Sequence, residues 1–178
     1  MIYPVVKFGQ DVLRKPAAPV GMITDEIRAL VADMLETMYA SHGVGLAAEQ
    51  VGQTHRICVI DVPHDAEKKE CVEQNADVPM PMILINPEIL ACEGKQRNEE
   101  GCLSFPEISA PITRANKVTV TYTDLEGMRH THTVCGLLAR AVQHEIDHLN
   151  GVLLVDKMSA IQKLSVAGQL KRLQSVAQ

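Results

Sequence analysis

Long apolar runs are missing from this chain of 178 residues: none reaches the ~18 needed to cross a bilayer, so no membrane-spanning segment is expected. The first twenty residues, MIYPVVKFGQDVLRKPAAPV, lack the basic start, apolar core and small-residue cleavage site of a secretory signal, and the cytoplasm is the default location. Close cysteine pairs are missing as well. The five cysteines, Cys58, Cys71, Cys92, Cys102 and Cys135, are odd in number and include no Cys-x-x-Cys. Without an export signal, such a set argues against a disulfide framework and for a metal-binding or catalytic cysteine among buried thiols. Cys58, inside the apolar run ICVI, suits the buried role. Positive charge is not in excess: the net charge of -5 disfavours non-specific nucleic-acid binding, and nothing points to a reader of nucleic-acid sequence. Acid is absent from one stretch, however. Residues 157–178 contain Lys157, Lys163, Lys171 and Arg172 and no Asp or Glu, so this tail carries +4 and residues 1–156 carry -9. Such a tail reads as a docking surface or a solvated helix face.

What is present is ordinary for a globular protein, with 46% hydrophobic and 22% charged residues, and one domain over 1–178 is expected. In TDEIRALVADMLETMYAS, the apolar positions Ile27, Leu30, Val31, Met34, Leu35 and Met38 have helical spacing, with Thr24 as N-cap and Ser41-His42-Gly43 as the stop. RICVID and MILINP read as strands. KVTVTYT and RHTHTV flank Asp124-Leu125-Glu126-Gly127 as a β-hairpin. The polar stretch from His64 to Pro81 reads as a long surface loop with no assignable role. A helix over Gly136–Leu149 is closed by Asn150-Gly151, and a last helix covers Ser159–Val176 with Gly168 as its weak point. The class is α+β, with antiparallel strands around one central helix and a C-terminal helix.

The central helix contains QHEIDHLNG, residues 143–151. Histidines at i and i+4 lie about 40° apart around the axis and about 6 Å along it, so His144 and His148 can grip one ion. Glu145 projects about 100° away, outside that ligand set but within reach of a water beside the ion. Leu138, Val142, Ile146 and Leu149 form an apolar face, so the helix is expected to be buried. Two ligands leave a catalytic site incomplete. Downstream of His148 there is no His or Glu, and Asp156 is the only acid, so the third donor is sought upstream. Cys102 in EEGCLSFP is the strongest candidate, since a thiolate is a strong donor and Gly101 allows close backbone approach. His130 and His132 share one strand face and are weaker candidates; a solvated strand face accounts for them better.

Three segments in order, GVGLAAEQ (43–50), EGCLS (100–104) and QHEIDHLNG, resemble the three signature motifs of the peptide deformylases, and the likeness runs from KFGQDVLRKPAAPV to the last helix. The resemblance implies antiparallel strands wrapped around the histidine-bearing helix and removal of the formyl group from N-terminal formyl-methionine of nascent chains. It implies Cys102, His144 and His148 as metal ligands, Glu145 as general acid/base, and Gln50 with the Leu103 N–H as donors to the oxyanion. Gly43, Val44, Gly45 and Leu46 become a rail for an extended peptide beside Gly101, and Leu137, Arg140 and Ala141 fall near the methionine pocket. Arg140 stands where an apolar residue is expected, placing its head at the rim or making one edge of the pocket polar. The metal implied is Fe²⁺, which Zn²⁺, Ni²⁺ or Co²⁺ can replace. The basic tail, with Lys163, Lys171 and Arg172, becomes a candidate for docking on the ribosome.

Two further expectations concern the surroundings of the ligands. Glu100, beside Cys102, needs a cationic partner if buried, and Arg114 is near enough in sequence. Asp147 is an alternative partner for a ligand imidazole, but on the helix it is expected to face solvent. The rival functions are a zinc endopeptidase, which wants a third ligand downstream, a Cys102–His nucleophilic hydrolase, which leaves the i, i+4 spacing without a purpose, and a non-catalytic binding module.

Overall fold

The computed structural model describes residues 1–177. Helix α1 (Asp25–Ala40) starts at Thr24, whose side chain accepts the Ile27 N–H, and buries Ile27, Leu30, Val31, Met34 and Met38. The chain then enters a short strand β1 (Gly45–Ala47) and a 3-10 turn (Ala48–Val51) before β2 (Ile57–Ile60). Strands β3 (Met82–Glu93), β6 (Lys117–Thr123) and β7 (Arg129–Cys135) complete an antiparallel five-stranded sheet in the order β1-β2-β3-β6-β7. Strands β4 (Gln96–Cys102) and β5 (Phe105–Arg114) pair separately as a two-stranded sheet.

The unbroken apolar run of β2 is explained by burial on both faces. Cys58 and Ile60 join the core beneath the central helix α3 (Gly136–Leu149), whereas Ile57 and Val59 pack with α1. Helix α3 packs on β1, β2, β6 and β7 and buries Leu138, Val142, Ile146 and Leu149 together with the histidine pair. A third core joins β5 to the C-terminal region through Phe105, Ile108, Ile112, Leu154 and Met158. Burying a side chain of this size stabilises by about 1.5–3 kcal/mol, so α3 has its position set by packing before any site chemistry acts.

Several expectations change. The stretch His64–Pro81 is no bare loop: it forms a 3-10 turn at His64–Ala66 and helix α2 (Lys69–Gln74). Cys71 and Cys135 are bonded to each other, against the expectation of no disulfide. Their partnership joins α2 to the residue ahead of α3, a proximity that a sequence separation of 64 conceals. The last helix is two helices, α4 (Ala160–Ser165) and α5 (Ala167–Val176), broken at Val166 rather than at Gly168. Leu170 and Leu173 pack on the third core, while Ile161 and Leu164 stay exposed. No helix among the described residues is long and apolar enough to cross a membrane.

Candidate metal centre and its cleft

Three donor atoms converge where β4 meets α3. One atom each from Cys102, His144 and His148 lies within 4.8 Å of the others, and Cys102 Sγ is 3.3 Å from His148 Nε2. Donors about 2.0–2.3 Å from a shared tetrahedral ion stand roughly this far apart, and one thiolate with two imidazoles suits a divalent transition metal. His144 and His148 are 9% and 1% exposed. Burial holds the His148 ring well below its usual pKa, so it stays a neutral donor.

The remaining His144 nitrogen is committed. Its Nδ1 is 2.6 Å from Glu100 Oε1, which leaves Nε2 to face Cys102 and His148. Glu100 is held in turn by Arg114, whose Nη2 and Nε donate to its two oxygens at 2.6 and 3.1 Å. Burial works against the Glu100 charge, but the hydrogen bonds from His144 and Arg114 outweigh it and hold the carboxyl at about 2. Arg114 also donates to Asp147 at 2.5 Å, so Asp147 faces this network and is not simply solvated. The expected Glu100–Arg114 pair is present, and it extends to His144 because β4 brings Glu100 alongside α3.

Glu145 is 4% exposed, and its Oε2 has no hydrogen-bond partner. Burial raises its pKa to about 7, the range of a group that both accepts and returns a proton at neutral pH. Gln50, on the 3-10 turn after β1, is 1% exposed. Its Oε1 accepts the Ala47 N–H at 3.0 Å, which turns Nε2 toward Ser104 Oγ at 3.1 Å and Cys102 Sγ at 3.6 Å. Leu103 lies in the turn joining β4 to β5.

Gln50, Cys102, Leu103, His144 and Glu145 open on a cleft of about 720 Å³. Gly43, Val44, Gly45 and Gly101 line it, as do Leu137, Arg140 and Ala141. The rail glycines have a further reason: a Cβ on Gly45 would lie 2.8 Å from Glu145 Oε1, and one on Gly43 would lie 2.9 Å from Leu103 Cδ1. Leu46 is placed differently: it does not line the cleft, and it is buried in the core that α1 shares with β2. Arg140 does border the cleft, and its Nε is buried without a partner, so this wall has a polar edge. Lys7, whose Nζ donates to the Leu103 carbonyl at 3.1 Å, and the buried Ser104 also belong to the site. No spacing rule marks Lys7, whereas Ser104 stands two residues past Cys102 and was readable as a neighbour. His130 and His132 are elsewhere, on β7, with His130 bonded to Asp124.

Comparison with known proteins places the chain in a family. The family model described as polypeptide deformylase matches residues 2–164. The chain belongs to the polypeptide deformylase family. A peptide deformylase of Acidobacterium capsulatum is 44% identical over 98% of this chain and 96% of its own length. The crystal structure of a peptide deformylase from Legionella pneumophila superposes with a TM-score of 0.84 at 36% identity, covering 99% of this chain and 97% of that one. The Thermus thermophilus peptide deformylase superposes at 0.85 with 34% identity, covering 99% and 100%. The known reaction of the family is removal of the N-formyl group from nascent peptides, so this chain is an enzyme, a metallo-hydrolase, with formylated nascent peptides as its substrates.

Proposed function

We propose that the chain works as one deformylase domain in which Cys102, His144 and His148 hold the catalytic metal, Glu145 moves the proton, and Gln50 with the Leu103 N–H stabilises the oxyanion. The observation that carries this reading is the convergence at the floor of one cleft of three metal donors, of which Cys102 and His144 line it, with a buried carboxyl that has a free oxygen and an amide N–H fixed from behind. A divalent ion bound there would supply Lewis acidity, lowering the pKa of a water it holds from ~15.7 toward ~7.

The chain's own groups account for the rest. Glu145 takes a proton from the attacking water, Gln50 Nε2 donates to the formyl oxygen as it gains charge, and Glu145 then gives its proton to the leaving amine. Neutral donors suit an oxygen that is anionic only in the transition state, and loss of one typically costs about 2.7–4 kcal/mol of barrier. The substrate peptide extends along β1, which is the edge strand of its sheet, with Gly43, Val44 and Gly45 on one side and Gly101 on the other. Leu137 and Ala141 wall the methionine side chain, and Arg140 makes one edge of that pocket polar.

Formate release from formyl-Met-Ala-Ser tests the reading, with Glu145→Ala as the control. Release by the wild type and its loss in the variant support it. Cleavage of an internal peptide bond would support an endopeptidase instead, and no turnover at all a binding module. For the metal, one thiolate with two imidazoles suits Zn, Fe, Co or Ni alike, and Fe²⁺ is proposed as the working ion from the likeness to the deformylases. Iron-loaded protein kept from oxygen should turn over faster than the zinc form, and equal rates would contradict that choice. The cytoplasm, where formylated chains emerge, is the proposed site of action. Docking on the ribosome through Lys163, Lys171 and Arg172 is supported by their place on exposed helices α4 and α5 beside the uncovered Ile161 and Leu164. Salt-independent ribosome binding would contradict it.

A further inference from the structure

Helix α3 has no capping side chain of its own, because the residue ahead of it is Cys135. Its first-turn N–H groups need acceptors from elsewhere. The 64–81 stretch supplies them. Glu67 accepts the Leu137 N–H on Oε2 at 2.9 Å and the Leu138 N–H on Oε1 at 2.7 Å, spreading both carboxylate oxygens over the helix start. Eight residues on, the Asn75 amide pairs with the Cys135 backbone in both directions, Nδ2 to the carbonyl at 3.1 Å and N–H to Oδ1 at 3.0 Å. Gln74 donates to the Thr133 carbonyl at 3.0 Å, and Cys71 is bonded to Cys135.

Gly136 completes the joint. It sits at φ +68°, and a Cβ there would fall 2.2 Å from Glu67 Oε2 and 3.1 Å from Cys71 Sγ. Glycine at this position therefore serves both the backbone turn and the close approach of the carboxylate. On its other side the helix start is held by β4, where Gln96 donates to the Gly136 carbonyl at 3.0 Å. One end of the metal-bearing helix is thus clamped between the strand that carries Cys102 and a separate polar segment.

We infer that residues 64–78 are a strap on the metal-bearing helix and that Glu67 is a positioning residue for the methionine pocket, acting through Leu137. Leu137 is the residue whose N–H Glu67 holds, and its side chain is a wall of the cleft. His144 lies two turns further along, where the helix is embedded in the first core, so the strap governs the pocket wall more than the ligands. The inference rests on the deformylase reading of the cleft, and the experiment keeps the two apart.

Steady-state kinetics of the metal-loaded enzyme would be compared for formyl-Met-Ala-Ser and the side-chain-truncated formyl-Ala-Ala-Ser. Deformylation of the first by the wild type tests the site itself; the ratio of kcat/KM between the two tests the strap. Glu67→Ala should lower that ratio about tenfold, through a higher KM for the methionine substrate with kcat within about twofold. Glu67→Gln, which keeps one carbonyl acceptor, should recover the ratio to within about threefold of the wild type. If Glu67→Ala does not fold, Glu67→Ser, too short to reach both the Leu137 and Leu138 N–H groups, replaces it with the same expected tenfold loss. A ratio unchanged in Glu67→Ala or Glu67→Ser, with activity falling only in proportion to folded protein, would show a merely structural cap and overturn the inference.

Discussion

Two pairs of histidines stand in this molecule, and only one has the surroundings of a metal site. His144 and His148 are four apart on a helix with ring centroids 5.0 Å apart; His130 and His132 are two apart on a strand with centroids 6.1 Å apart. Spacing brings both pairs together. The helical pair is almost fully buried, meets the Cys102 sulfur from β4, and has one ring oriented by Glu100. The strand pair lies on a half-exposed face beside Tyr122, and its only acidic hydrogen-bond partner among the described residues is Asp124 in the hairpin turn. Proximity of two imidazoles is therefore a weak signal. A third donor and a partner that fixes the tautomer make the difference.

Breaking the contrast at the proposed ligands should have the largest effect. Cys102→Ala or His148→Ala should lower kcat/KM for formyl-Met-Ala-Ser by roughly a thousandfold or more, whereas His132→Ala should stay within about twofold. Next comes Glu145, the proposed proton carrier. Glu145→Gln should lower kcat by about 10²–10⁴ while metal content, read by atomic absorption, is unchanged. The partner that fixes His144 ranks third: Glu100→Gln should weaken metal binding by about 10–100-fold in a chelator competition. Absence of coupling between Glu100 and Arg114 in a double-mutant cycle would remove Arg114 from this account.

The smallest effect separates Glu145 from a second buried carboxyl, Glu49. Glu49 is 0% exposed, neither of its oxygens has a partner, and burial raises its pKa to about 8 from an ordinary 4.5. The folded state then binds more protons than the unfolded one between pH 4.5 and about 8, so this group costs stability as pH rises through that window, by at most about 1.4 kcal/mol per unit. Glu49→Gln should raise the Tm more at pH 8 than at pH 5, and an equal shift at both would refute the assignment. Glu145 has a similarly raised pKa but borders the cleft, where its proton has somewhere to go.

Much of the centre was legible in the chain because local geometry carried it. The helix over Gly136–Leu149 is found at the expected bounds, since an apolar face, a glycine start and Asn150-Gly151 all speak at short range. The hairpin around Asp124–Gly127 was equally local. Strands β4 and β5 were not legible: β4 alternates between partly buried and exposed polar residues, and β5 contains Pro106 and Pro111, which suit an edge but hide the strand pattern. The link from Glu100 to His144 was lost with them. Ser104, Lys7 and the Glu67 strap act through tertiary contacts of 54, 96 and 70 residues, and no periodicity announces those. The disulfide was missed for the same reason, since a compartment argument about cysteine counts is silent on which two thiols meet.

The central claim is that one metal ion is held by Cys102, His144 and His148 and by no other histidine pair. Metal analysis of protein purified without oxygen tests it most directly. The account expects one divalent ion per chain in the wild type and in His132→Ala, and none in Cys102→Ala at the same chelator concentration. A full complement of metal in Cys102→Ala, or its loss in His132→Ala, would contradict it.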